Sequence, residues 1–404
     1  SDICAMTIDE SFRFFEELRL SEYENTIARL LLQEIKKRLN YMIKVGLEYL
    51  TLDRMTRTLS GGEAQRVNLT TSLGSSLVNT LYILDEPSIG LHPRDTDRLI
   101  QLLERLRNIG NTVVVVEHDQ EVIRAADEII DIGPSAGENG GMLVYQGTFK
   151  DLPARNGSIT GQYLKGDKAI KIPERRREPS GRAIVLKGAS QNNLKGIEAT
   201  FPLHMLVCVT GVSGSGKSTL VQDTLYGAIK KKREGYTGFI GHHESIHGTQ
   251  FIHDVILVDQ SPIGRTPRSN PITYIKIFDE IRKLFASTRD AKVRNLSAGS
   301  FSFNVVGGRC EHCEGAGSIR VDMQFLADIY VTCDKCNGKR FNKKVLDIKY
   351  KNKNIHETLE MTVDEAIIFF PDSPRISKGL KFLQDTGLGY LRLGQPATTL
   401  SGGE

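Results

Sequence analysis

Apolar residues gather in short runs, each closed by residues that carry chemistry. Thr80 to Leu84 ends in Asp85-Glu86-Pro87, and Val113 to Val116 ends in Glu117-His118-Asp119. Runs of this length with polar ends read as strands buried in a parallel sheet. Leu206 to Val209 is a third such run, just before Gly211. The spacing predicts a strand there and a helix over Thr219 to Ile229. Ser21 to Arg38 and Ala64 to Leu73 read as helical stretches. Between Glu314 and Thr332, the order Ile319-Arg320-Val321-Asp322-Met323 alternates, which predicts a hairpin. Strands interspersed with helices place the chain in the α/β class. No apolar run approaches the ~18 residues that a membrane span needs, so a transmembrane protein is not expected.

One long repeat organises these elements. Leu59-Ser60-Gly61-Gly62-Glu63 recurs as Leu400-Ser401-Gly402-Gly403-Glu404. At the same offset, Gly46-Leu47-Glu48-Tyr49-Leu50 parallels Gly387-Leu388-Gly389-Tyr390-Leu391. Met6-Thr7-Ile8-Asp9-Glu10 parallels Met361-Thr362-Val363-Asp364-Glu365 at a longer offset. The difference falls on the helical stretch around Ser21 to Arg38. Three matched blocks in one order imply two tandem copies of one module. The window is expected to open inside the first copy and close inside the second.

Composition refines the picture in three ways. The 404 residues suit about two or three domains. A charged fraction of 25% with 39% hydrophobic residues is that of a soluble globular protein. The net charge is only +4, so any basic surface must be local. Ser1 to Glu10 lacks the basic-then-apolar order of a secretory signal, and a cytoplasmic setting is expected.

Four of the six cysteines form two Cys-x-x-Cys pairs, Cys310/Cys313 and Cys333/Cys336. The spacing matches a four-thiolate Zn²⁺ site, with each pair on a tight turn. A site whose four ligands are all protein is closed, hence structural. The hairpin would be pinned at its base by this metal.

Gly211-Val-Ser-Gly214-Ser-Gly216-Lys217-Ser218 fits the phosphate-loop pattern, with a predicted strand before it and a helix after it. Backbone N–H groups of such a loop converge on phosphate at a helix N-terminus. Lys217 would reach the β- and γ-phosphates of a bound triphosphate, Ser218 would ligate Mg²⁺, and Thr219 would follow in the same turn. Asp85 would hold Mg²⁺ through water, and Glu86 would orient or deprotonate the attacking water. His118 could contact the γ-phosphate. Ser60 is a good N-cap, and Gly61 and Gly62 leave N–H groups open for an anion.

Together, Ser60-Gly61-Gly62, Asp85-Glu86, Ser88 to Asp95 and His118 resemble, in order and spacing, the motifs of an ATP-binding-cassette ATPase. Gln260 stands where that family's Q-loop glutamine lies. The zinc insertion and longer blocks narrow the resemblance to the UvrA family. Those blocks include Ile83 to His92, Val115 to Asp119, Thr210 to Thr219, Asp259 to Pro271, Phe301 to Asn304 and Gly307 to Cys310. The resemblance covers essentially the whole chain. It implies a P-loop NTPase fold of ATP-binding-cassette type, with a helical signature region and a zinc-stabilised hairpin module. It further implies a tandem ATPase that dimerises, binds damaged DNA and loads UvrB in bacterial nucleotide excision repair.

The implied organisation is the C-terminal part of a first cassette over 1–150 and a linker over 151–182. The N-terminal part of a second cassette follows over 183–300, a zinc module over 301–342 and a signature region over 343–404. Lys217, Ser218 and Gln260 would share one composite site with the first signature. Asp85, Glu86 and His118 would serve another site, so the isolated chain is expected to hydrolyse ATP poorly. The family's UvrB-binding segments are expected outside this window.

Basic residues cluster at Lys230 to Arg233, on the loop of Arg265 and Arg268, and from Lys339 to Lys353. Phosphate contacts of this kind bind DNA without reading sequence, as recognition of lesions requires. Two other readings stand beside this one. A transport-type cassette would need a membrane partner, and the zinc insertion argues against it. A UvrA-like paralogue serving drug resistance would carry the same motifs.

Overall fold

The computed structural model describes residues 2–404 except 60, 75–77, 155–156, 260–262, 265, 322–328, 402 and 404. The chain forms two compact units, Ser1–Ile132 with Leu143–Leu257, and Gly133–Met142 with Val258–Glu404.

In the first unit, β1 (Leu81–Asp85) and β2 (Thr112–Val116) pair in parallel, with Asp85 opposite Val116. Parallel neighbours require a crossover, and the Pro93–Asn108 helix supplies it. His92 caps that helix by accepting from the Arg94 N–H, and Pro93 sits in the first turn. Its Leu99, Leu102, Leu103 and Leu106 pack against Tyr82, Leu84, Val113 and Val115. Both strands were expected to be buried; only one face of each is. Ile83 is 70% exposed and Val116 50%, because the helices of this unit cover a single side of the pair.

Two further sheets lie on either side of the Ile159–Lys165 segment in sequence, among the described residues. β3 (Ile129–Gly133) pairs with β4 (Met142–Gly147). β5 (Ala183–Ala189) lies between β6 (Ile197–Pro202) and β7 (Ser245–His247), antiparallel to both. The predicted strand at Leu206 to Val209 does not form. A strand exists by pairing, no described residue pairs with this run, and Leu206 is fully exposed. The helix predicted after the glycine loop is present in altered form. Thr219–Tyr226 winds as a π-helix, then Gly227–Glu234 continues as an α-helix. The Thr224 hydroxyl donates to the Thr219 carbonyl, five residues back. Such wide turns are uncommon and gather at functional sites.

Leu152 is buried, and the Ile159–Lys165 helix is capped by Ser158, whose hydroxyl also donates to Asp131. Residues 166–182 then run exposed without helix or strand.

The second unit is built around phenylalanine. Phe285, Phe301, Phe303, Phe341 and Phe370 are all essentially solvent-free. Phe278 and Phe303 stack with centroids 4.9 Å apart. Phe285→Ala is expected to destabilise this unit by about 3–5 kcal/mol, as a cavity in a core that cannot collapse. Phe382→Ala, at an exposed position, should change stability by less than about 0.5 kcal/mol. Urea denaturation of the two variants checks the contrast.

The repeat is reproduced down to individual backbone bonds. Thr7 and Glu10 form a capping box, and so do Thr362 and Glu365. Ile8 N–H donates to the Leu50 carbonyl, as Val363 does to that of Leu391. Asp9 N–H donates to Glu48, as Asp364 does to Gly389. Gly46 and Gly387 both take positive φ, 75° and 84°, where each preceding helix ends. The expected extra length of copy one is the Glu22–Lys44 helix, capped by Ser21 with Glu24. Each copy then closes with a short 3-10 turn, Thr56–Thr58 and Ala397–Thr399, before its Leu-Ser-Gly-Gly-Glu run.

Candidate nucleotide site and metal centre

Gly211, Gly214 and Gly216 all have positive φ, so the loop curls as a phosphate cradle must. A Cβ at Gly216 would fall 2.9 Å from Asn193 Oδ1 and Leu194 Cδ2. Lys217 Nζ folds back and donates to the Gly211 and Val212 carbonyls, each at 2.8 Å. Ser218 begins the helical turn, and Thr219 is buried, accepting from Asn192 Nδ2 at 3.2 Å.

This loop does not stand alone in its unit. The Ser213 N–H approaches Asp95 Oδ2 at 3.4 Å. The Tyr49 ring lies over Gly214, where an added Cβ would meet it at 2.7 Å. The Tyr49 hydroxyl donates to Glu63, in the helix Gly61–Gly74 that Gly61 and Gly62 open. Burial, with the Glu63 carboxylate beside it, holds the phenol well above its usual range. Buried Arg66 lies on the same helix and acts on the same phenol. Tyr49 and Glu63 therefore join the glycine loop to the signature helix. Ser60 and Gln260 lie outside the described residues.

Asp85 ends β1, and Glu86 follows in the left-handed region at φ 45°. The Glu86 N–H donates to the Val116 carbonyl, which brings the ends of β1 and β2 together. His118 Nε2 then lies 3.4 Å from Glu86 Oε1. Glu117 accepts from both the N–H and the hydroxyl of Ser88, at 2.7 and 2.9 Å, and so holds the loop after Glu86.

Sequence reasoning missed Tyr49, Glu117 and the contact made by Asp95. Tyr49 had a signal, since it lies in the duplicated Gly46–Leu50 block; Glu117 had only its place beside His118. Tyr49→Phe keeps the ring on Gly214 and removes the bond to a carboxylate. It is expected to cost about 1.5–3 kcal/mol, measured by urea denaturation.

The four paired cysteines converge. Their sulfurs lie within 4.8 Å of one another and all four residues are buried. β8 (Ser318–Val321) and β9 (Ile329–Thr332) form the predicted hairpin between the pairs. Cys333 N–H closes its base by donating to the Gly317 carbonyl. Gly317 N–H donates to Cys313 Sγ at 3.3 Å. Burial pushes the Cys336 thiol up to about 12 and raises that of Cys313. At Cys333, burial works upward, but the Cys336 and Lys335 backbone N–H groups outweigh it and the thiol is lowered. Buried sulfurs that cannot all ionise unaided suit a dication, and the donor set fits tetrahedral Zn²⁺.

The basic clusters are partly consumed by the fold. Lys230 pairs with Glu234 and Asp254, Lys232 donates to the Ile246 carbonyl, and Arg233 to that of Thr249. Lys351 pairs with Asp372. Beside the cysteines, Arg309, Lys335, Lys339 and Lys343 line a cavity of about 670 Å³. Among the described residues, no helix is long and apolar enough to cross a membrane.

No family model matches the chain. UvrABC system protein A of Clostridium tetani is 55% identical over 403 residues, which is 100% of this chain and 43% of that protein. The protein of the same name from Aquifex aeolicus is 55% identical over 405 residues, 100% of this chain and 44% of its own length. The crystal structure of UvrA2 from Deinococcus radiodurans superposes with a TM-score of 0.91 at 44% identity. That match covers 99% of this chain and 50% of the solved one. The chain thus spans less than half the length of these curated relatives. The chain is a homologue, from end to end, of part of UvrABC system protein A, and its fold is of the P-loop ATP-binding-cassette type.

Proposed function

We propose that the chain carries one composite ATP site and the zinc module of the DNA-damage-recognition ATPase of bacterial nucleotide excision repair. The observation that carries this reading is the junction of the phosphate loop with Tyr49 and Asp95, and of Tyr49 with Glu63. A cassette closes a signature run of one module over the ATP held by another. That closure requires the loop and the signature helix to be tied together, and Tyr49 ties them.

In this reading Lys217 exchanges its two carbonyl contacts for β- and γ-phosphate oxygens. Ser218 and Thr219 contribute hydroxyls at the metal and the α-phosphate end. Gln260 serves as Q-loop residue, and Ser60, Gly61 and Gly62 cap the γ-phosphate. Asp85, Glu86 and His118 act in the second site of the whole protein, with Glu86 as the water-orienting carboxylate and His118 holding it. ATP with Mg²⁺ would supply the phosphoryl chemistry, and hydrolysis belongs to the whole protein. Cys310, Cys313, Cys333 and Cys336 would hold Zn²⁺. The sequence segments 1–150, 151–182, 183–300, 301–342 and 343–404 retain the roles assigned above. The whole protein would act in the cytoplasm as a homodimer on damaged double-stranded DNA and deliver UvrB through other segments.

Binding of the chain to intact and lesion-bearing duplexes tests this, with and without ATP and a zinc chelator. Affinity should fall steeply with salt, as for any phosphate-contacting surface, and chelation should weaken it further. Binding indifferent to ATP, lesion and chelator alike would refute the reading.

A further inference from the structure

The turn between β5 and β6 brings two side-chain amides to the glycine loop. Leu194 N–H donates to the Gln191 carbonyl at 3.1 Å, so Asn192 and Asn193 form the tip of the turn. Asn192 takes φ 52°, a conformation that asparagine tolerates better than most side chains. The turn is anchored on its other side. Ser190 N–H donates to the His242 carbonyl at 2.9 Å, and His242 N–H donates back to Gln191 Oε1 at 3.2 Å. Gln191 Nε2 donates to Asn192 Oδ1 at 2.9 Å, which leaves the Asn192 amide nitrogen to reach Thr219 Oγ1 at 3.2 Å. Asn193 Nδ2 donates to the Gly214 carbonyl at 2.9 Å. A Cβ on Gly216 would fall 2.9 Å from Asn193 Oδ1. The Asn193 amide therefore spans the two glycines that flank Ser215.

This contact orients a peptide. A trans peptide points its N–H opposite to its C=O. With the Gly214 carbonyl drawn toward Asn193, the Ser215 N–H is turned the other way and donates to the Val212 carbonyl at 3.2 Å. The Lys217 ammonium donates to that same carbonyl at 2.8 Å. A backbone donor and a cationic donor thus converge on one acceptor within the curl. A phosphate oxygen in that place would accept from both. Asn193 is itself exposed, so its bond to the loop adds little to the stability of the unit.

We propose that Asn193, braced by the turn it shares with Asn192, is a positioning residue for the phosphates. It fixes the Gly214–Ser215 peptide so that the Ser215 N–H and the Lys217 ammonium face one phosphate oxygen before any nucleotide arrives. The proposal rests on the reading of this loop as the ATP site. Asn193 acts through the loop and not through base or sugar, so it serves any polyphosphate that the loop accepts.

The test uses the full chain, its N193A and N193D variants, and three readouts. N193A removes the donor, and N193D keeps the shape but sets a carboxylate oxygen against the Gly214 carbonyl. Amide exchange at Ser215 in the nucleotide-free chain should be about tenfold faster in N193A than in the parent. Calorimetric titration should show N193A about tenfold weaker than the parent, the upper range for one hydrogen bond. The loss should be equal for MgATP and for magnesium tripolyphosphate, which has neither base nor sugar, and greater in N193D. Urea denaturation midpoints should match that of the parent. Unchanged exchange at Ser215 would overturn the proposal. A loss confined to MgATP would overturn it too, and would place Asn193 against the nucleoside. An affinity loss that tracks a lowered urea midpoint would reduce Asn193 to a structural role. A parent chain that binds neither ligand would overturn the ATP reading beneath the proposal, while exchange at Ser215 still decides whether Asn193 holds the peptide.

Discussion

Cys333→Ser is expected to empty the four-cysteine site and unfold the segment around it. Cys333 is the most completely buried of the four cysteines, at 0% exposure, and its N–H closes the hairpin base. Serine presents an oxygen that stays protonated, so the variant keeps three thiolates and a poor fourth donor. In small zinc modules the metal contributes about 10–16 kcal/mol, and that binding energy is folding energy. Here Phe303 and Phe341 tie the module to the core of its unit, so the expected loss is local. Metal analysis should find zinc content reduced at least about tenfold. Limited proteolysis should then cut within residues 309–341 while the 343–404 region persists. A zinc chelator applied to the parent should reproduce the pattern. A variant with full zinc content and an unchanged digestion pattern would contradict the structural role.

Lys217→Ala is expected to abolish measurable ATP binding by the chain. The ammonium is held 2.8 Å from the Gly211 and Val212 carbonyls, at the mouth of the curled loop. Removing it deletes the one side-chain cation that the loop itself contributes. Charge-assisted bonds to phosphate contribute about 1.5–3 kcal/mol each, so two of them make the variant at least about a hundredfold weaker. Calorimetric titration with MgATP reads this directly. Equal affinity of the two chains would mean that the loop is a relic. Glu86→Gln should leave the same titration unchanged, because Glu86 pairs with His118 rather than with the loop.

Much of the fold was legible because it is locally encoded. Thr7 with Glu10 and Thr362 with Glu365 are capping boxes written in adjacent residues, and both formed. The alternation after Ala316 gave the hairpin, and the Cys-x-x-Cys spacing gave the cluster. Leu206 to Val209 is the instructive failure. Its four residues have strand character, yet a strand needs a neighbour, and the run stands exposed. The same limit applies to β1 and β2, whose apolar alternate residues face water on one side. Apolar character records what a segment can bury; it does not record whether anything covers it.

The sequence by itself determined the glycine loop, the duplicated modules, the carboxylate strand and the four-cysteine cluster. Each depends on spacings of a few residues, where covalent geometry fixes what can meet. Only the tertiary structure decided that Tyr49 rests on Gly214 and bonds to Glu63. It alone decided that Lys230, Lys232 and Arg233 are spent on internal partners. It alone joined Arg340 to Gly394 across 54 positions. The reason is physical. A capping box or a cysteine knuckle is specified by neighbours along the chain, whereas these contacts depend on the packing of segments far apart in sequence.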